Sequence, residues 1–222
     1  MGFYSASQLT QMLRRHGVDI RPVDVRHSDW NCTLEPVGEL GAQPVAALRL
    51  GLRLVKGLGE EAAQRLVAVR ESRGFSTVQE MAQFASLNRA ELGALASANA
   101  LSQLAGHRHM ARWQVAGVVQ QDDLLAGAEV AEGTPMLRTP DEVQDLIADY
   151  RALGLTLGRH PMSMLRADFS ERGFTRSSEL SELHNIQPVL VAGVVITRQR
   201  PGSAGGVNFV TMEDENGYIN IV

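Results

Sequence analysis

The sequence predicts an α+β protein, mainly helical up to about residue 153 and β-rich from residue 188 to the end. Three observations carry that expectation. Before Pro188 apolar residues recur at helical spacing, most clearly at Ala63, Leu66 and Val67. After Pro188 β-branched residues crowd into short runs separated by glycine and proline turns. Residues 117–140 are acidic and carry Gly127, Gly133 and Pro135, the composition of a linker.

The elements follow in order. Residues 5–16 read as a helix: Ser5 or Ser7 can cap it, Leu9, Met12 and Leu13 form an apolar stripe, and Gly17 stops it. Val18-Asp19-Ile20 and Val23-Asp24-Val25 alternate like short strands around Pro22. Residues 27–44 are turn-rich, and residues 46–54 alternate at period two, which predicts a strand. Residues 60–72 predict a helix with Glu60 and Glu61 in its first turn, where the dipole favours acids. Residues 77–85 and 89–101 predict two more helices, joined by Ser86-Leu87-Asn88. Pro140-Asp141-Glu142 opens another helix, which Gly154 and Gly158 end. Strands are expected at 189–197, 207–212 and 218–222, with turns at 201–206 and 213–217. A sheet cut inside its last strand leaves an unpaired edge, so the sequence reads as a segment of a longer protein.

Composition excludes several classes. The 222 residues are 44% hydrophobic and 21% charged, as in globular proteins. No apolar run approaches the roughly 18–20 residues of a membrane span, and no charged-then-apolar leader opens the chain. Cys32 is the single cysteine, which excludes an intramolecular disulfide and a cysteine-built zinc site and fits a cytoplasmic location. The net charge of −4 speaks at first against a polyanionic partner. That charge is unevenly spread. Residues 51–120 hold eight cations against five acids, net +3, whereas residues 121–140 are net −3 and residues 141–222 net −4.

The positive segment contains Lys56-Gly57-Leu58-Gly59, directly before the 60–72 helix. Two glycines around one apolar residue permit a sharp turn with positive φ and a close backbone approach. The N–H groups of the turn and of the helix start then face outward, an arrangement suited to phosphate. Lys56 adds a cation, and Leu58 plugs the core beneath. This is the helix-hairpin-helix pattern, which grips a DNA backbone without reading sequence. The alternative is a plain glycine-containing turn. Ser86-Leu87-Asn88 lacks the glycines and reads as a structural pseudo-repeat. No Walker phosphate loop occurs.

Several long blocks resemble one family. They are residues 2–9, His16 to Val25, His27 to Trp30, Leu50 to Gly59, Tyr150 to Met162, Gln199 to Val207 and Phe209 to Gly217. Together they resemble the bacterial C-family DNA polymerases, and among these the error-prone DnaE-type branch, also called ImuC. The resemblance implies an order: the end of a fingers region over 1–45, a tandem helix-hairpin-helix module over 46–116, an acidic linker and helical connection over 117–187, and a truncated OB-fold over 188–222. It implies duplex DNA binding by an error-prone polymerase in translesion synthesis, with ImuB and the β sliding clamp as partners. The replicative polymerase III α subunit shares this order. A protein-binding scaffold without DNA affinity is the alternative of another class. The family's chemistry is two-metal nucleotidyl transfer with Mg2+. Its carboxylates are implied to lie upstream, so no catalytic residue, metal ligand or cofactor is expected in this segment.

Other candidate residues are dispersed. Arg53, Arg108 and Arg112 are candidate phosphate contacts beside Lys56, Gly57, Leu58 and Gly59. Gln121, Leu124 and Leu125 sit in a stretch similar to the clamp-binding peptide of bacterial polymerases, a glutamine for a polar notch and two leucines for an apolar pocket. Arg198, Arg200 and Phe209 offer phosphate pairing and base stacking to a single-stranded template. Glu213-Asp214-Glu215 reads as a solvated turn.

Overall fold

A computed structural model describes residues 4–40, 43–118, 133, 135–202 and 205–222. The expected clamp peptide at Gln121, Leu124 and Leu125 lies outside the described residues. Helices and small sheets are both present, as an α+β chain requires. The chain forms two compact units, residues 1–157 and 158–222. No helix among the described residues is long and apolar enough to cross a membrane.

The first unit opens with helix α1 (Ala6–Arg15). Ser5 caps it in a reciprocal box with Gln8. Strand β1 (Ile20–Arg21) pairs parallel with β3 (Gln43–Arg49), and β2 (Thr33–Leu40) pairs antiparallel with β3, giving the order β1-β3-β2. Strand β2 falls in the segment expected to be turns. Its partner and the register Glu35↔Ala47 supply what local composition lacks. Glu35 accepts from Arg49 on β3 at 2.7 and 3.0 Å and from Arg21 on β1, which ties the three strands together.

The strand expected over 46–54 ends at Arg49, and residues 52–54 form a 3-10 turn instead. The break coincides with close packing at Gly51. A Cβ there would lie 2.4 Å from the carbonyl carbon of Asn31. The turn drops Leu52 fully into the core, so the period-two pattern is satisfied without a strand. Val23 and Val25 are likewise buried but not in a strand; the Val25 N–H donates to the carbonyl of Ala100.

Helices α2 (Glu60–Ser72), α3 (Val78–Phe84) and α4 (Arg89–Ser97) follow the predicted order. α4 stops early because Asn99 takes a left-handed conformation, φ +57°. Two helices not anticipated from sequence follow, α5 (Ser102–Ala105) and α6 (Arg108–Ala116). Helix α7 (Glu142–Ala152) is capped by Asp141 and belongs to the same unit, although the sequence places it in a separate connection. One apolar core runs from Val23 to Leu155, with Leu66, Met81, Leu95 and Leu101 completely enclosed.

The second unit opens with α8 (Pro161–Glu171), also not anticipated, with Pro161 in its first turn and His160 as its cap. Strand β4 (Phe174–Thr175) pairs parallel with β5 (Leu190–Val191). Strands β6 (Val194–Gln199), β7 (Phe209–Glu213) and β8 (Tyr218–Ile221) form an antiparallel meander in that order. The single strand expected over 189–197 is thus split at Gly193. That backbone is pressed onto β7, where a Cβ would come 3.0 Å from the Glu213 carbonyl oxygen. The described residues contain a three-stranded meander and no closed five-stranded barrel.

Candidate nucleic-acid interface

The hairpin is built as its residues demand. The chain leaves the 3-10 turn, and the Leu58 N–H donates back to the Val55 carbonyl at 3.2 Å. Gly57 adopts φ +90°, a conformation that a side chain would strain. Leu58 is 7% exposed and joins the core. Gly59 has ordinary extended angles and serves as the N-cap of α2, with no side chain to fill that role.

This missing cap, shared only with the four-residue α5 among the described α-helices of this unit, sets α2 apart from the longer ones. Thr77 caps α3, Asn88 caps α4, His107 caps α6 and Asp141 caps α7, each accepting from a first-turn N–H. At the second hairpin, Asn88 Oδ1 accepts from the Ala90 and Glu91 N–H groups at 2.9 and 3.0 Å. Arg65 of α2 holds that turn by donating to the Ala85 and Ser86 carbonyls. Its donors are consumed internally, so it is a structural repeat. The first-turn donors of α2 have no side-chain acceptor and carry the positive end of the helix dipole.

Lys56 is exposed and is joined to α7, a contact the sequence did not suggest. Its backbone N–H donates to the Ala152 carbonyl at 2.9 Å, and its Nζ to the Tyr150 carbonyl at 3.2 Å. A cation at the C-terminal end of α7 complements that helix's dipole. Arg53 is exposed and donates to Asn31 Oδ1 at 3.1 Å. Arg112 is exposed on α6.

Arg108 departs from expectation. It is 3% exposed and its guanidinium binds Asp145 and Asp149 of α7. Thr156 donates to the other Asp149 oxygen at 2.8 Å. Arg108 therefore clamps α6 to α7 and has no face for a phosphate. Local spacing could not show this, since its partners lie 37 and 41 residues away.

In the second unit Arg198, Arg200 and Phe209 are all exposed. Arg198 stands opposite Val210, and Phe209 opposite Gln199. Adjacent register positions point to opposite faces of a sheet. Arg198 and Phe209 therefore lie on opposite faces of the sheet.

The Glu213-Asp214-Glu215 turn is not solvated as expected. Asp214 is fully buried and accepts from the Ser177 N–H and hydroxyl and from the Asn216 and Gly217 N–H groups. Burial alone would raise its pKa, but these bonds outweigh burial and hold the carboxyl below its ordinary value. Glu215 receives a bidentate pair from Arg166 at 2.6 and 2.8 Å. Among the described residues no three His, Cys, Asp or Glu side chains gather as metal ligands would.

Comparison with known proteins supplies the context for this geometry. A family model described as a helix-hairpin-helix motif matches residues 17–111, which include both hairpins. The error-prone DNA polymerase of Alkalilimnicola ehrlichii is 51% identical over 222 residues, all of this chain and 21% of that protein. Over its whole length the chain is similar to one segment of the error-prone DNA polymerases. The error-prone DNA polymerases of Methylococcus capsulatus and Pseudomonas aeruginosa are 49% and 48% identical over the whole chain, again at 22% and 21% of their own lengths. The chain thus spans about a fifth of the length of these error-prone polymerases.

Proposed function

We propose that this chain is the duplex-DNA-binding and partner-docking region of an error-prone polymerase that acts in translesion synthesis and damage-induced mutagenesis. One observation carries the DNA reading: the uncapped start of α2 beside exposed Lys56, inside the segment that matches the helix-hairpin-helix motif. Open N–H donors and a cation recognise phosphate without base contacts, so binding is independent of sequence. The error-prone polymerases among its relatives favour the error-prone branch over the replicative α subunit. In the cytoplasm this region would hold the duplex while ImuB and the sliding clamp dock elsewhere on it.

The Mg2+-dependent nucleotidyl transfer belongs, on this reading, to other parts of the polymerase. Asp214 and Glu215, two acids of one turn, are taken up by Ser177 and Arg166 of this chain. No catalytic step is assigned to them.

Fluorescence anisotropy with a short labelled duplex tests the reading. Affinity falls steeply with salt, and Lys56→Glu weakens binding by about tenfold and lowers the salt slope by about 1. Lys56→Gln removes the charge but keeps a donor for Tyr150, which separates phosphate binding from the fold of α7. Binding indifferent to salt and to both substitutions would leave the protein-scaffold alternative. For the clamp, changing Gln121, Leu124 and Leu125 to Ala abolishes co-elution with the sliding clamp. Undiminished co-elution would remove that partner from the proposal.

A further inference from the structure

Two hollows flank the hairpin, and they differ in charge. One, of about 470 Å3, lies at the start of α2. Glu60, Glu61 and Glu91 line it, with Arg65 as the one cation there. The other, of about 770 Å3, lies between the hairpin, α4, α6 and α7. Lys56, Arg112 and Arg151 enter it from three different elements.

We infer that the second hollow is a groove for the phosphate backbone of duplex DNA, so that α7 is part of the DNA-contacting surface. This deepens the duplex-binding reading and rests on it. Three features carry the inference. The floor is one face of α4, formed by Ala90, Gly93, Ala94 and Ser97 at helical spacing. No side chain there is longer than serine, and a Cβ added to Gly93 would meet nothing within 4 Å, so a polymer backbone can approach closely.

The cations are also available. Both Arg112 and Arg151 are exposed, and among the described residues neither forms an ion pair or a hydrogen bond. Asp145, the carboxylate on the wall, is held by Arg108. Convergent unpaired cations repel one another and favour a polyanion between them.

The occupant follows from what the lining lacks. Among the described lining residues the one ring is His109, whose Nδ1 sits 2.8 Å from the Arg138 carbonyl. The described lining offers no stacking platform of the kind that single strands use. Phosphates of a duplex, contacted without base readout, fit this chemistry.

The test is the Arg112→Gln/Arg151→Gln double variant of the 222-residue chain, measured against a short fluorescein-labelled duplex of mixed sequence across a salt series. Both side chains are exposed and unpaired, so circular dichroism is expected to be unchanged. The slope of log K against log salt should fall by about 2 and affinity by at least about tenfold. A control, Arg26→Gln/Arg73→Gln, removes the same charge from exposed positions that do not line the groove and should leave the slope near wild type. If both double variants lose the same amount, the effect is net charge and the groove is not the site, although the duplex-binding reading stands. A double variant that loses only single-stranded binding overturns the assigned occupant. Failure of the unmodified chain to bind duplex in a salt-dependent way removes the duplex-binding reading itself.

Discussion

Glu35 shows how one side chain can hold a sheet that local composition does not announce. Hydrogen bonds from Arg49 lower its pKa, burial opposes them, and Arg21 adds to the lowering; the carboxyl titrates at about 2. The folded pKa lies below the unfolded value, so its stabilisation is complete above about pH 4.5 and is lost as the pH falls toward 2. Unfolding by urea should therefore show on the order of 2–3 kcal/mol lost over that window through this group. Glu35→Gln removes that part of the pH dependence. An unchanged slope in the variant would mean that the three-way contact is not formed. Asp24 behaves in the opposite sense: burial pushes its carboxyl up, against the lowering by the Arg26 N–H bond and nearby cations.

The same logic scales up to α2, the element whose start has been left open. Gly59 has extended angles that any residue adopts, and a Cβ there meets nothing within 4 Å. Gly59→Ser should therefore cap the helix, raising stability by a few tenths of a kcal/mol. The serine oxygen would take up a first-turn donor, so duplex affinity should fall while the melting temperature rises. A gain in both would show that the donors do not meet phosphate. The longer helices α3, α4, α6 and α7 of the same unit already carry such caps; only the four-residue α5 does not. At this scale much of the chain was legible. Helical spacing with acids in the first turn located α2, and Lys56-Gly57-Leu58-Gly59 located its turn. Helices α5, α6 and α8 were not legible, since their stripes are short and interrupted by polar or cationic residues.

Across the whole molecule the two units are stabilised by different means. The first has a continuous apolar core, whereas in the second only Met162 and Ile219 are buried apolar side chains among the described residues. The second relies on buried polar groups instead: Arg166 with Glu215, and Asp214 with the Ser177 and Gly217 turns. Removing the charge of Asp214 leaves four donors to an amide that accepts less strongly and brings its own N–H groups. Asp214→Asn should cost about 2–4 kcal/mol. Hydrogen exchange should then rise across residues 158–222 and stay unchanged in the core around Leu66 and Leu95. Equal rises in both units would show that they unfold as one.

Sequence by itself determined the α+β class, the order of the main helices, the hairpin turn and the family resemblance, because these depend on local spacing, turn chemistry and contiguous motifs. Tertiary structure alone decided the partners. It turned Arg108 from a candidate phosphate contact into a buried clamp, set Arg198 and Phe209 on opposite faces, and brought α7 against Lys56 across 94 residues of chain. Those outcomes depend on contacts between residues far apart in the chain, and no local periodicity encodes which distant carboxylate or carbonyl a cation will meet.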